Sequence, residues 1–247
     1  MIDTYVAIDL ETTGTNPAED RIIEVGAAKV ECGRVVSTFS TFVNPQISIS
    51  PRITSLTGIT DEDVAGAPVI ADIIADMIAY TKDVPILGHN VIFDYSFIKK
   101  AAANSKLEYA KEGIDTLKIA RRILPDVPHK NLPALCEHFK IDPGKSHRAL
   151  DDAISASKLY YALYAVNPED LVIDDKIKNE RDSLMAMVLN YSVKKDSPIT
   201  PAQKKYLTAL AQYHNVAVTV PIDSMTKSQA SRMIDGIIGQ YGRIPVY

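Results

Sequence analysis

Long apolar runs are missing from this sequence. None approaches the ~18 consecutive apolar residues that a membrane-spanning helix requires, so no membrane partner is expected. Cysteine is nearly missing as well. Cys32 and Cys136 stand far apart and fit no metal-binding or redox spacing. Two reduced, mostly buried thiols are the expectation, as in a reducing compartment. Residues 1–14 (MIDTYVAIDLETTG) have neither the basic n-region nor the apolar h-region of a secretory signal, and a cytoplasmic location is expected. An excess of positive charge is also lacking. The net charge is −4, which does not indicate a large, generally basic nucleic-acid surface. Internal repeats and low-complexity tracts are absent.

What is present is an ordinary globular balance of 46% apolar and 23% charged residues in 247. That length allows one large domain, or a medium domain with a small module. The charge is uneven. Residues 194–247 hold seven cations and three anions, a net +4, which leaves −8 on residues 1–193. The division expected is a domain over 1–165, a helical connection and linker over 166–198, and a small basic two-helix module over 199–247.

Residues 4–10 (TYVAIDL) read as a buried strand. Residues 22–31 and 34–43 flank Cys32-Gly33 and read as a β-hairpin. Residues 44–60 hold Pro45, Pro51 and Gly58 and read as irregular. Helices are expected near 69–80, 91–103, 114–124, 131–139 and 148–164, with a short strand at 84–88 (VPILG). Lys176–Asn190 is read as a further helix. Thr200-Pro201-Ala202-Gln203 and Thr226-Lys227-Ser228-Gln229 carry the capping-box pattern that starts a helix. Strands followed by alternating helices give an α/β layer fold with a mixed sheet.

Three segments carry chemistry. Asp9 and Glu11 alternate on the first strand, so both carboxylates share a face at a core edge. Two like charges there are costly unless a cation accompanies them, and Mg²⁺ takes such oxygen ligands. Asp94 falls on the first turn of a helix. His147 precedes another helix, and Asp152 lies near its start. Each has an ordinary reading alone: a solvated strand end, a first-turn acid favoured by the helix dipole, a capping histidine.

Together the segments resemble the DEDDh (DnaQ-like) 3′-to-5′ exonucleases, which include the proofreading epsilon subunit of bacterial DNA polymerase III. The resemblance rests on Asp9-Leu10-Glu11-Thr12-Thr13-Gly14, on His89-Asn90-Val91-Ile92-Phe93-Asp94, and on His147 followed five positions later by Asp152. LTGIT (56–60) resembles the family's connecting segment. The resemblance covers residues ~3 to ~165 and implies a ribonuclease H-like five-stranded mixed sheet.

It also implies two-metal hydrolysis, with Mg²⁺ as the cofactor and Mn²⁺ able to substitute. Asp9, Glu11 and Asp152 would hold one ion, and Asp94, with Asp9 bridging, the other. His147 would take a proton from the attacking water. Leu10, Thr12, Thr13 and Gly14 would meet the terminal nucleotide, Gly14 by permitting close approach. Leu56, Thr57 and Phe93 are candidates to stack on or wedge the last bases, with core packing the other reading of Leu56 and Phe93. Asn90 either touches substrate or caps the following helix, and His89 orients its motif. The partner implied is a single-stranded DNA 3′ end, with RNA and a non-catalytic nucleic-acid adaptor as alternatives. Residues 196–247 are read as a stabilising add-on, or as a tether to DNA or to a replication or repair protein.

Overall fold

A computed structural model describes residues 1–144, 147–166, 186–193, 197–218 and 220–244. The chain divides into two compact units, Met1–Val193 and Lys194–Tyr247.

The first unit is an α/β layer structure. Its strands are β1 (Thr4–Thr12), β2 (Ile22–Glu31), β3 (Arg34–Phe42), β4 (Ile86–Gly88), β5 (Glu112–Asp115) and β6 (Met187–Val188). Its helices are α1 (Pro51–Thr57), α2 (Asp61–Val64), α3 (Ile70–Tyr80), α4 (Ile92–Asn104), α5 (Thr116–Ile123), α6 (Leu132–His138) and α7 (Ala149–Ala165). The sheet order is β3-β2-β1-β4-β5-β6. β1 pairs antiparallel with β2 and parallel with β4, and β4 pairs parallel with β5.

Among the described residues the sheet has six strands rather than the five expected. The sixth, β6, pairs antiparallel with β5. It falls within the stretch expected to be the helix Lys176–Asn190, of which residues 176–185 lie outside the described ones. β5 also replaces the first turn of the helix expected over 114–124. The expected irregular stretch 44–60 contains α1, capped by Ser50 and closed by Gly58 at φ 73°. Cys32 is exposed, not buried, because the hairpin turn places it outside the sheet at φ 47°, next to Gly33 at φ 78°. A two-residue turn with both φ positive matches the twist of the flanking strands.

Side-chain alternation on β1 feeds two cores. Tyr5 and Ala7 pack with Ile119, Leu135, Ala153, Ala156 and Leu159 from α5, α6 and α7. Val6, Ile8 and Leu10 pack with Ile74, Met77, Tyr95 and Ile98 from α3 and α4. β1 is thus covered on both faces, and its exposed chemistry is confined to its C-terminal end.

The second unit holds α8 (Pro201–His214) and α9 (Lys227–Tyr241), each opened by the expected capping box. Leu207, Leu210, Met225, Ala230 and Ile237 form its small core. No helix among the described residues is long and apolar enough to cross a membrane.

Candidate active site

Odd-numbered residues of β1 face α7. The Tyr5 hydroxyl shares a 2.8 Å hydrogen bond with Ser157 Oγ on that helix, and Ala7 lies in the same core. The same alternation carries Asp9 and Glu11 onto that face, toward the start of α7, which bears Asp152 in its first turn. Glu11, His147 and Asp152 each offer a ligand atom within 4.8 Å of the others. His147 is exposed and left-handed at φ 61°, and its backbone N–H donates to Asp152 Oδ2 at 3.0 Å. Asp94 arrives from α4 and is buried. It accepts the N–H of Leu10, the residue between Asp9 and Glu11, at 3.0 Å.

All four carboxyls have raised pKa values, Asp9 and Asp94 well above the ordinary aspartate value. Burial is the largest cause for Asp9, followed by Asp94, Asp152 and Glu11. Burial, then Asp152 and Glu24, pushes Glu11 up to about 7. Asp94 is raised by burial despite the Leu10 N–H, and Asp152 by burial despite the His147 N–H. Carboxyls that oppose one another's ionisation form a cluster short of positive charge. An all-oxygen set with one imidazole beside it fits hard divalent cations such as Mg²⁺. Asp9 and Asp94 lie outside the three-residue set within 4.8 Å but share its electrostatics.

A family model described as Exonuclease (RNase_T) matches residues 6–160, which include every member of this cluster. The chain belongs to this exonuclease family. Its matched region is a DnaQ-like 3′-to-5′ exonuclease domain. Among curated proteins, it is 38% identical over 156 residues to a PolC-type DNA polymerase III of Caldanaerobacter subterraneus subsp. tengcongensis, covering 63% of this chain and 11% of the polymerase. The chain therefore spans only a small part of that relative. Exonuclease X, solved in complex with 5′ overhanging duplex DNA, is 30% identical with a TM-score of 0.53, covering 66% of this chain and 92% of that one. Exonuclease I of E. coli, solved with a dT13 oligonucleotide, shares the fold at 20% identity and a TM-score of 0.61, covering 68% and 42%.

The exonuclease cluster is held by residues that sequence reasoning did not single out. Glu24, opposite Glu11 in the β1–β2 register, is buried. Its Oε1 accepts from Arg148 Nε at 3.0 Å and Nη2 at 2.9 Å, and its Oε2 from the Ala149 N–H at 3.2 Å. The segment between His147 and Asp152 is thereby pinned to β2. Gly26 lets the helix come close: a Cβ there would fall 2.1 Å from Ala149 C and Leu150 N. An acid inside an apolar strand and a glycine two residues on were the available signals.

The second motif is fixed by Asp115, which accepts the Asn90 N–H at 3.1 Å while capping α5. The His89 ring bridges Thr116 Oγ1 at 2.9 Å and the Lys130 carbonyl at 2.8 Å, which ties this motif to α5 and to the loop before α6. Asn90 does not cap α4, whose N-cap is Val91 with no side-chain cap bond; at φ 73° Asn90 forms the turn before it. Phe93 is half-buried against Phe97, with ring centroids 5.0 Å apart. Leu56 is 55% exposed, which excludes plain core packing. Thr57 is buried, its hydroxyl donating to the Ile53 carbonyl at 3.0 Å. Thr12 Oγ1 donates to the Gly14 carbonyl at 2.6 Å, and the Thr13 hydroxyl accepts the Arg21 N–H at 2.9 Å. The space beside Gly14 is taken by Asp20, since a Cβ would lie 2.4 Å from its carboxylate. A side chain at this position would have to displace that carboxylate.

Proposed function

We propose that this exonuclease removes nucleotides one at a time from single-stranded or frayed DNA 3′ ends, releasing nucleoside 5′-monophosphates. The observation that carries the reading is the convergence of Asp9, Glu11, Asp94 and Asp152, all with raised carboxyl pKa values, beside His147. Asp9, Glu11 and Asp152 would hold one divalent ion, and Asp94 with Asp9 a second, Mg²⁺ in the first place. Two such ions supply Lewis-acid stabilisation to the oxygens that gain charge during in-line displacement at phosphorus.

The chain's own groups do the rest. Glu24 and Arg148 hold the start of α7, so that Asp152 and His147 meet β1. His147, exposed at the mouth of the cluster, accepts the proton of the attacking water, a role suited to histidine at neutral pH. The leaving group is the 3′-oxygen of the penultimate nucleotide. The Leu10–Gly14 stretch presents backbone to the terminal nucleotide, and the exposed Leu56 and half-buried Phe93 flank its base. A DNA substrate is supported by the DNA-bound state of exonuclease X and by the polymerase context of the PolC-type relative.

The test is product analysis with Mg²⁺ on matched DNA and RNA oligomers labelled at either end. A 5′-labelled DNA strand shortening in single steps, and a 3′-labelled one giving only mononucleotide, is the expected result. Preferential shortening of RNA would overturn the substrate, and internal cuts would overturn the reaction.

A further inference from the structure

Residues 1–193 carry a net −8, yet an enzyme of this kind must draw in a polyanion. Cations beside its site are therefore informative. α5 (TLKIARRI) turns Ile119, Ala120 and Ile123 into the core and leaves Lys118 and Arg121 exposed. The helix starts against the second motif. Asp115 Oδ1 accepts the N–H groups of Asn90, Leu117 and Lys118 at 3.1, 3.1 and 3.2 Å, so the turn leading to Asp94 and the first turn of α5 hang on one carboxylate oxygen. His89 extends the connection, holding the Lys130 carbonyl at 2.8 Å. The loop before α6 is thereby fixed beside α5.

Between these elements opens a cavity of about 510 Å³ lined by His89, Leu117, Arg121, Pro128, Lys130 and Asn131. No carboxylate among the described residues lines it. Its cations are Arg121 and Lys130, and Leu117 and Pro128 add an apolar wall. It opens beside the C-terminal ends of the parallel strands β4 and β5, the sheet edge at which α/β folds receive ligands.

We propose that this cavity receives the phosphodiester backbone of the strand just upstream of the scissile bond. Arg121 contacts phosphate oxygens, Lys130, whose ammonium donates to the Val127 and Pro125 carbonyls, adds positive charge to the wall, and Leu117 and Pro128 lie against sugar or base. A guanidinium fork suits phosphate oxygens, and each single-strand phosphate neutralised adds about 0.7 to the salt slope of binding. This inference rests on the exonuclease reading of the neighbouring cluster, and its test separates the two.

The full chain would be compared as wild type, Arg121→Glu and Arg121→Lys. Binding of a fluorescein-labelled oligodeoxythymidylate of roughly 15 nucleotides is measured by anisotropy in EDTA, so no hydrolysis is needed, over roughly 50 to 200 mM NaCl. Arg121→Glu weakens binding by about tenfold or more and lowers the slope by about 0.7. Arg121→Lys retains most of the slope. The p-nitrophenyl ester of thymidine 5′-monophosphate, which has no upstream phosphate, is then offered with Mg²⁺. Arg121→Glu hydrolyses it at the wild-type rate, while its KM for the oligonucleotide rises. Wild-type binding and slope in Arg121→Glu would overturn the proposal, as would an equal loss of ester and oligonucleotide hydrolysis. If the wild-type protein hydrolyses neither compound, the exonuclease reading fails while the binding result still decides the cavity.

Discussion

Stripped of divalent metal, the protein loses thermal stability as pH rises from about 5 to about 8, and Glu11 contributes to the loss. Its carboxyl is pushed from 4.5 up to about 7 by burial and by Asp152 and Glu24. The folded state therefore holds a proton that the unfolded chain releases. For a pKa raised on folding, the stabilisation is complete below the unfolded value and is gone above the folded one. A carboxyl moved from 4.5 to about 7 corresponds to at most about 3 kcal/mol. Asp9, Asp94 and Asp152 shift the same way. His89 acts oppositely: burial lowers its pKa, so its contribution grows as pH rises through the ordinary histidine range. Comparison with Glu11→Gln isolates the carboxyl. For a unit of this size about 3 kcal/mol shifts Tm by roughly 6–12 °C. Scanning calorimetry in EDTA from pH 5 to 8 measures it. The wild-type Tm falls relative to Glu11→Gln, and added Mg²⁺ raises it more at pH 8 than at pH 5, because ion and proton compete for the same oxygens. Parallel curves for the two proteins would refute the reasoning.

Other changes have defined outcomes. Glu24→Ala removes the acceptors for Arg148 and the Ala149 N–H. It costs about 1–3 kcal/mol and lowers the hydrolysis rate at least about tenfold, read by Tm and by the rate of strand shortening. Gly26→Ala places a Cβ 2.1 Å from the α7 backbone, which lifts the helix off β2. A loss of at least ~3 kcal/mol and of activity is expected, and native-like behaviour in both assays would show that the close approach is dispensable. Leu135→Ala opens a hole at a fully buried position and costs about 2–5 kcal/mol in denaturant unfolding, with the rate of the remaining folded protein unchanged.

Elements with a clear period were legible in the sequence: β1, the Cys32-Gly33 hairpin, α3, α4 and α7. β5 was not, because Asp115 both ends the strand and caps α5, so the helical period of IDTLKIARRIL runs back across the junction. α1 was hidden by its own punctuation. Pro51 and Gly58 read as breakers, but Ser50, Pro51 and Gly58 are cap, first turn and left-handed stop of a two-turn helix. β6 is two residues long and exists only through its pairing with β5, which no local pattern encodes. The acids and the histidine of the site stood out because a charge at a core edge demands a reason. Their supports did not. Glu24, Gly26 and Asp115 act on segments 124, 123 and 25 residues away, and only the folded register reveals what they touch.

The account stands most directly on Asp9 and Asp152, on β1 and α7. A 5′-labelled single-stranded oligonucleotide incubated with Mg²⁺ and the 247-residue chain as wild type, Asp9→Ala or Asp152→Ala tests them, with circular dichroism confirming each fold. A single-nucleotide ladder from the wild type, and an intact strand from both folded variants, is the predicted result. An undiminished ladder from either variant would contradict the account.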